Sequence, residues 1–391
     1  MNYKEVRLAK GKERALQRKH PWIFSGAIAS EKQCEEGDIV RIVDSKGEFL
    51  AIGHYMSPKA SIRVKVLTYS EEPINLSWWK SKITDALNLR IELGLWDSPT
   101  TNAFRLFFGE GDFVPGLVLD WYDGHVVLQA HTLGIYNQRD NILKALKEVL
   151  GQKLLSLYDK SGESLHHDGI ESSFLLGDEA STNITENGNT FKINWVEGQK
   201  TGFFLDQRDN RELVGQFSSG KKVLNAFSYT GGFSIYALNA GAKEVHSVDL
   251  SDLACRLANE NAELNNAAER HTSVVSDVQA FLKTMDKDYD VVILDPPAFA
   301  KRRKAVHNAI QAYKRLNASA IKNMRPGSIL FTFSCSQNVT PQIFADTLRA
   351  AAIEVGRPIQ ILKELRQPPC HPENLYFPEG HYLKGLMLRV L

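Results

Sequence analysis

The sequence predicts an α/β protein whose C-terminal half is a mostly parallel sheet with helices on both faces. Beyond residue 220, short apolar runs alternate with stretches of helical periodicity, which is typical of parallel strands joined by crossover helices. A Gly-Gly pair follows the first of these runs. Ligands bind at the carboxyl ends of the strands in such sheets. Four residues that could carry chemistry fall at predicted strand ends: Asp249, Asp277, Asp295 and Cys335.

The stretch from residue 221 to residue 249 is predicted to form a strand, a tight loop, a helix and a second strand. Residues 223–227 suit a buried parallel strand, and residues 233–240 have helical periodicity. A loop with glycines lets a ligand approach the backbone, and a carboxylate at the tip of the next strand can accept both ribose hydroxyls. The candidate cofactor-binding residues of this stretch are Asn225, Phe227, Tyr229, Thr230, Gly231, Asp249 and Leu250.

The loop of this stretch lacks the full G-x-G-x-x-G pattern of a dinucleotide site. The departure argues against NAD and favours the S-adenosylmethionine version of the same architecture. The alternative interpretation is that Gly231 and Gly232 serve only the packing of the helix against the strand, as glycines do in many α/β domains.

Length and composition are those of an ordinary globular protein without a strong overall charge. The chain has 391 residues, for which two or three domains are expected, and it is 43% hydrophobic and 24% charged. Its 47 Lys and Arg against 46 Asp and Glu give a formal net charge of +1. Any surface for nucleic acid must therefore be a local patch.

The cysteines and the N-terminus favour a reduced, cytoplasmic compartment. The four cysteines are far apart and form no C-x-x-C pair, so we expect no structural zinc, no other metal and no disulfide framework. The N-terminus is charged from residue 4 and has no apolar signal region. No apolar run approaches the roughly 20 residues that span a bilayer, so no membrane association is expected.

Residues 1–70 are predicted to form a small β domain that contacts RNA. A basic segment over residues 11–19, expected to be helical, contributes three candidate phosphate-binding residues, Lys12, Arg14 and Arg18. The alternative is a solvated helix face. The segment KGKERALQRKHPWIFSGAI and the strand GDIVRIVD resemble those of a PUA domain, a small RNA-binding β barrel. The resemblance implies RNA binding.

Residues 71–180 are predicted to form a central α+β domain without a catalytic constellation. We expect a helix over 76–95, a hairpin turning at Asp123-Gly124, a helix over 136–150 and a strand over 153–158. The remaining residues, 181–391, are predicted to form the domain that carries the cofactor site.

A polar segment ahead of the first long strand of that domain is predicted to form a wall of the cofactor pocket. In EGQKTGFFLDQRDNR, residues 197–211, charged and amide side chains crowd the start of a helix. The candidate cofactor-binding residues are Phe204, Asp206 and Arg208. The alternative is a capped helix with an apolar staple, but the segment has more polar groups than capping requires.

Cys335 and Asp295 are the candidate catalytic residues. Cys335 follows a strand near a basic run, and such surroundings can leave a thiol nucleophilic; the alternative is a buried structural cysteine. Addition of a thiolate to C6 of cytosine makes C5 nucleophilic, and Asp295 can share a proton at N3 once the base has left its stack. Phe299 could stack on the base, and three cations could hold the flanking phosphates: Lys301, Arg302 and Arg303.

The whole chain resembles the ribosomal large-subunit methyltransferase I family, in which a PUA domain and a central α+β domain precede a class I, Rossmann-like methyltransferase domain. The resemblance is carried by GQKTGFFLDQRDNR, VLNAFSYTGGFSIYAL, SVDLS, SDV, ILDPPAF, FTFSCS and HPENLYFPEGHYLKG. It implies a 23S rRNA cytosine-C5 methyltransferase in which residues 227–232 hold the methionine moiety of S-adenosylmethionine, Asp249 the ribose and Asp277 the adenine amino group. It also implies that Cys335 is the nucleophile.

One departure leaves a step of that reaction without a residue. Many other RNA cytosine-C5 methyltransferases carry a second cysteine after the first proline of the Asp-Pro motif, where this chain has Pro297. The base that removes the C5 proton is therefore unassigned.

Three other functions compete with this prediction. A methyltransferase acting on a guanine nitrogen of rRNA would use D-P-P-x-F without a thiol. An RNA-binding ribosome assembly factor with a vestigial cofactor fold is disfavoured because Asp249, Asp277 and Asp295 are all present. An NAD-dependent enzyme is disfavoured by the missing third glycine. The expected partner is 23S rRNA or a large-subunit precursor, and the expected state is a monomer or a homodimer.

Overall fold

The computed structural model describes residues 3–165, 167–300 and 303–391, so the predictions for Lys301 and Arg302 lie outside the described residues. The chain divides into two compact units. The first comprises the residues up to Thr182, Ile193–Leu205 and Pro369–Gly380. The second comprises Asn183–Lys192, Asp206–Pro368 and His381–Leu391. The three domains expected over 1–70, 71–180 and 181–391 stay a prediction.

The N-terminal part of the first unit is a six-stranded sheet. Its strands are β1 (Lys4–Leu8), β2 (Trp22–Phe24), β3 (Ile28–Ser30), β4 (Ile39–Val43), β5 (Phe49–Tyr55) and β6 (Ile62–Thr68). They lie in the order β2-β6-β5-β4-β1-β3 around an apolar core that includes Val6, Val40 and Val64. The helix expected over 11–19 is only α1 (Arg14–Gln17), because positive φ values of 78° at Gly11 and 60° at Lys19 take both ends out of the helical region.

The remainder of the first unit is built on a five-stranded sheet in the order β11-β10-β9-β8-β7. Its helices and strands are α2 (Leu76–Glu92), β7 (Ala103–Phe108), β8 (Leu117–Tyr122), β9 (His125–Ala130), α3 (Leu133–Tyr136), α4 (Arg139–Leu150), β10 (Ser156–Asp159), α5 (Ser161–Leu165) and β11 (Ser173–Leu176). The hairpin turn at Asp123-Gly124 is confirmed, since β8 and β9 pair on either side of it. The strands β7 and β11 were not predicted.

The second unit contains a seven-stranded sheet in which one strand is antiparallel. A hairpin of β12 (Ser181–Glu186) and β13 (Asn189–Asn194) is followed by α6 (Arg208–Gln216), β14 (Lys222–Ala226), α7 (Gly232–Asn239), β15 (Glu244–Asp249), α8 (Asp252–Leu264), β16 (His271–Val275), α9 (Val278–Thr284), β17 (Val291–Leu294), α10 (Val306–Asn323), β18 (Ile329–Ser334), α11 (Pro341–Val355), β19 (Ile359–Leu365) and β20 (Lys384–Val390). The sheet order is β16-β15-β14-β17-β18-β20-β19, and β20 runs antiparallel to both neighbours. The predicted α/β class is confirmed.

The central strands of this sheet are buried on both faces. All four residues of β17 are buried, which explains why its sequence is a continuous apolar run instead of an alternating one. Helices α6, α7 and α8 contact one another in sequence, and α9, α10 and α11 form a second contacting group. This division is the one expected when helices cover both faces of a parallel sheet.

A buried ion pair ties the hairpin to the helices of the second unit. The Glu186 carboxylate, which is fully buried, accepts two hydrogen bonds of 2.8 Å from the Arg211 guanidinium and one of 3.0 Å from the Tyr236 hydroxyl. Replacing Glu186 with Ala leaves the guanidinium buried without its counter-charge. We expect the free energy of unfolding in urea to fall by about 3–5 kcal/mol.

The control for this prediction is the exposed ion pair on the same hairpin. Lys192 and Glu260 lie 3.0 Å apart with about half of each side chain exposed, 51% and 45%. Glu260→Ala should change the free energy of unfolding by less than about 1 kcal/mol. Equal losses in the two variants would contradict the role given to the buried carboxylate.

Candidate active site

Five parallel strands of the second unit end at one edge of the sheet, called here the carboxyl edge. Ala226 of β14 is aligned with Val248 of β15 and with Leu294 of β17, and Leu294 is aligned with Thr332 of β18. The residues that follow these strands therefore lie along the same edge. They are the loop after β14, Asp249, Asp277, Asp295 and Cys335.

The loop after β14 has a strained backbone. Phe227, Tyr229 and Gly231 have φ values of 62°, 45° and 79°, and two of these three residues are not glycine. The loop is tied to β15 by the Phe227 amide, which donates to the Val248 carbonyl at 2.8 Å. At Gly231, a Cβ atom would also lie 3.0 Å from the Cβ of Ala258. Such strain persists only where surrounding structure enforces it, and it is concentrated at ligand-binding sites.

Asp249, at the end of β15, closes this loop. Its Oδ2 accepts from the Tyr229 amide at 3.0 Å, and its Oδ1 accepts from the Ser251 amide at 2.9 Å. Each carboxylate oxygen can accept more than one hydrogen bond. The carboxylate is therefore fixed in place while it keeps the capacity to accept from two vicinal hydroxyls.

A buried chain of polar side chains supports the loop from beneath. The Asn225 amide donates to Ser234 at 2.9 Å, the hydroxyls of Ser234 and Ser247 lie 2.7 Å apart, and Ser247 lies 2.7 Å from Nε2 of His271. Burial lowers the pKa of His271 to about 4, so this chain is neutral at pH 7. Asn225 is only 1% exposed, which gives it a supporting position below the loop.

The next two predicted cofactor residues are exposed. Asp277 precedes α9, and its Oδ1 accepts from the Ala280 amide at 2.8 Å, so the side chain caps the helix. Leu250 is 73% exposed beside Asp249. An exposed apolar side chain at a strand end offers a surface that a flat base can cover.

Asp295, at the end of β17, is held by an amide that the sequence analysis did not assign to the site. Gln207 donates to Oδ2 of Asp295 at 3.1 Å, and its own oxygen accepts from the Asn210 amide at 2.6 Å. Asn210 also donates to the carbonyl of Arg366 at 3.1 Å. The polar run from 197 to 211 was the signal for this support, although Asp206 and Arg208 were chosen from it instead.

Three candidate cofactor residues come from the polar segment 197–211. Asp206 and Arg208 belong to the second unit and are 7% and 6% exposed. Asp206 accepts from the Tyr382 hydroxyl at 2.6 Å, and Tyr382 was not predicted. Phe204 belongs to the first unit, where the Lys200 ammonium lies 4.4 Å from the centre of its ring. A contact of Phe204 with the cofactor stays a prediction.

Cys335 lies between two serines that point inward. Ser334 and Ser336 are 0% and 1% exposed, and their hydroxyls lie 2.9 Å and 3.1 Å from the Tyr313 hydroxyl. Cys335 itself is partly exposed. Cys335 is therefore the accessible residue of this Ser-Cys-Ser segment, one strand away from Asp295 in the sheet.

Comparison with known proteins places the chain in a family. The model of S-adenosylmethionine-dependent methyltransferases matches residues 104–389, and the model of PUA-like domains matches residues 6–69. A ribosomal RNA large subunit methyltransferase I from Klebsiella pneumoniae is 37% identical over 98% of both chains, and one from Aeromonas salmonicida is 38% identical over the same shares. The chain belongs to the ribosomal RNA large subunit methyltransferase I family.

A solved structure agrees with this family assignment. A methyltransferase crystallised with SAH is 25% identical to this chain and superposes with a TM-score of 0.86 over 99% of this chain and 100% of that one. The protein is an S-adenosylmethionine-dependent methyltransferase with an N-terminal PUA-like domain.

The residues along the carboxyl edge fit S-adenosylmethionine. The loop after β14 has left-handed backbone at Gly231, the Asp249 carboxylate suits ribose hydroxyls, and Asp277 at the neighbouring strand end suits an amino group. When bound, the cofactor supplies an electrophilic methyl group on its sulfonium. The individual contacts stay predictions.

The candidate RNA-binding residues have different surroundings. Lys12, Arg14 and Arg18 are exposed around α1 in the first unit. Phe299 is half-buried, and the centre of its ring lies 4.7 Å from the centre of the Tyr313 ring. Phe299 therefore already packs against one aromatic ring of the protein. Arg303 begins a short 3-10 helix, Arg303–Ala305.

Among residues 3–165, 167–300 and 303–391, no group of three His, Cys, Asp or Glu side chains could hold a metal ion. The helices in these same ranges include none with the length and apolar character to cross a bilayer.

Proposed function

We propose that this protein transfers a methyl group from S-adenosylmethionine to C5 of a cytosine in 23S rRNA through a covalent adduct at Cys335. The observation that carries the proposal is the partly exposed thiol of Cys335 on the carboxyl edge, one strand from the Asp295 carboxylate. Methylation of a guanine nitrogen needs no thiol, whereas cytosine C5 is a poor nucleophile until C6 has been attacked.

The residues of this chain would divide the reaction between them. The Cys335 thiolate forms a bond to C6 of the flipped cytosine, and the electron pair of the C5–C6 double bond becomes available at C5 for the methyl group. Asp295 shares a proton with N3 and so accommodates the charge that moves into the ring. After transfer, a base that has not been assigned removes the C5 proton, the electron pair of that C–H bond restores the C5–C6 double bond, and the Cys335 thiolate leaves from C6.

Gln207 would position the carboxylate in this mechanism. Its amide donates to one oxygen of Asp295, and Asn210 fixes the orientation of that amide. Preorganised groups around a reacting centre need no rearrangement as charge develops.

The substrate is inferred from the relatives and from the first unit. The relatives from Klebsiella and Aeromonas are named for large-subunit rRNA and match this chain over 98% of its length. The PUA-like domain supports RNA binding, and the exposed cations around α1 suit phosphates. We infer that this domain contacts rRNA flanking the target.

The direct test is a methyl-transfer assay with labelled S-adenosylmethionine and 23S rRNA from cells that lack this protein. Product nucleosides would be identified by mass. We expect 5-methylcytidine. A methylguanosine product would contradict the proposal and support the guanine alternative. Cofactor binding without transfer to any naked rRNA would point to another substrate, such as an assembled particle or tRNA.

Cofactor affinity tests the role of Asp249. Asp249→Asn removes the negative charge but keeps the shape, so hydrogen bonds from the ribose hydroxyls lose their charge-assisted part, about 1.5–3 kcal/mol. We expect the dissociation constant for S-adenosylmethionine, measured by calorimetry, to rise about 10- to 100-fold.

The matched control is Asp252→Asn in the first turn of α8. This side chain is 64% exposed and pairs with Arg256. The dissociation constant should stay within about twofold of wild type, because exposed pairs contribute little. Similar losses of affinity in the two variants would show that Asp249 acts only through the general charge of this edge.

A further inference from the structure

Lys384 is a buried cation at the turn that carries Cys335. It is the first residue of β20 and is aligned with Ser334 at the end of β18. Its side chain is 4% exposed, and its Nζ donates to the carbonyl oxygens of Ser336 and Val339, both at 2.7 Å. The ammonium is therefore fixed beside the peptide group that follows Ser336, one residue beyond Cys335.

The acceptors of Lys384 within the described part of the chain are neutral carbonyls. Burying an ammonium that has only neutral acceptors costs free energy. Its positive charge in turn stabilises an anion that forms beside it. Burial lowers the pKa of Lys384 to about 8, and attraction to the Cys335 sulfur opposes that shift. At pH 7 the side chain is mainly charged and can interact with a thiolate.

We propose that Lys384 is a positioning residue that stabilises the thiolate form of Cys335 and fixes the turn from which the sulfur attacks. The proposal rests on the proposed function, since it assigns the positive charge that the nucleophile requires. It also gives β20, the antiparallel strand of the sheet, a part in the reaction.

Among the described residues, Tyr313 and Asp295 are also ionisable groups beside the turn that carries Cys335. Tyr313 on α10 binds the flanking serines, and because burial raises its pKa it stays protonated and adds no charge at neutral pH. Asp295, at the neighbouring strand end, is negative when ionised and disfavours a second anion. Of the charged groups placed here by the structure, Lys384 is the one whose sign favours the thiolate.

The test is the pH dependence of Cys335 alkylation by iodoacetamide in the full chain, read from the mass of the peptide that contains Cys335. No RNA or methyl donor is present. A free thiol titrates near pH 8.5, and we expect a midpoint below about pH 8 for wild type. Lys384→Gln keeps a hydrogen-bond donor but removes the charge, so its midpoint should rise by about one unit and its rate at pH 7 should fall about tenfold.

The control is Arg389→Gln, which removes a positive charge from an exposed position of the same strand. Its alkylation profile should match wild type. An unshifted profile in folded Lys384→Gln would overturn the proposal and leave Lys384 as a brace for the turn. If Lys384→Gln does not fold, the alkylation profile of the wild-type protein tests the proposal by itself. A midpoint for Cys335 alkylation at or above about pH 8.5 overturns the proposal.

The outcome is separable from the fate of the proposed function. A protein that makes methylguanosine would fail as a cytosine-C5 methyltransferase in the nucleoside assay, whatever its alkylation profile. Conversely, the protein could form 5-methylcytidine while Lys384→Gln leaves the alkylation profile of Cys335 unchanged. That result would support the proposed reaction and overturn only the role of Lys384.

Discussion

Replacing Cys335 with Ala is expected to lower the rate of methyl transfer to 23S rRNA by at least about a thousandfold. The reason is chemical, because without the bond to C6 no electron pair is available at C5. The turn should survive the substitution, since Ser334 and Ser336 are the buried side chains that bind Tyr313. The affinity for S-adenosylmethionine should stay within about twofold, because the loop predicted to hold the cofactor lies after β14 and not after β18.

The matched control for this substitution is Cys34→Ala. Cys34 is also a partly exposed cysteine, but it lies in the first unit. Its loss should leave the rate unchanged. Methyl transfer that survives in Cys335→Ala would remove the covalent mechanism and favour methylation of a nitrogen, which needs no thiol.

Replacing Asp295 with Asn should lower the rate of transfer by about a hundredfold or more at saturating cofactor. Asn has the same shape and can still accept from Gln207, but it cannot share a proton with N3 in the same way. The loss should appear in the single-turnover rate and not in the affinity for RNA. Asp288→Asn, a change at an exposed carboxylate before the same strand, is the control and should be neutral.

The support of Asp295 predicts a graded series. Gln207→Leu removes the donor that lies 3.1 Å from Oδ2 of Asp295 but keeps the carboxylate. Its rate should fall about tenfold, the equivalent of one hydrogen bond to a charged group, which is less than in Asp295→Asn. If the rate of methyl transfer fell further in Gln207→Leu than in Asp295→Asn, Gln207 would have to do more than support Asp295, and the assigned roles would be contradicted.

Much of the second unit could be predicted from the sequence, because its local signals agree with its tertiary structure. The strands β14, β17 and β18 are short and mainly apolar, and burial on both faces is what makes their apolar runs nearly continuous. Parallel strands align their carboxyl ends, so Asp249, Asp295 and Cys335 could be placed on one edge without coordinates.

The supporting contacts could not be predicted in this way, because they join segments that are distant in the chain. Gln207 meets Asp295 across 88 positions, and Tyr382 meets Asp206 across 176. Lys384 reaches Ser336 from β20 because an antiparallel strand closes the sheet. The polar run from 197 to 211 marked the segment that contains Gln207, but a sequence pattern does not say which distant residue a side chain will contact.

The first unit shows a second limit of sequence reasoning. The strands β7 and β11 were missed, and β11 is only four residues long with partly exposed side chains. A strand of this kind carries almost no burial pattern. It is specified by its pairing with β10, which is a tertiary contact.

The measurement that tests the central claim most directly is the trapping of the protein–RNA adduct. A 23S rRNA fragment containing 5-fluorocytidine would be incubated with S-adenosylmethionine and the protein. Fluorine at C5 cannot leave as a proton does, so the sulfur–C6 bond should persist after methyl transfer. We predict a covalent complex whose RNA-linked peptide contains Cys335, and none with Cys335→Ala. Two results would contradict the account. One is the absence of an adduct although the protein methylates the unmodified fragment, and the other is an adduct that still forms with Cys335→Ala.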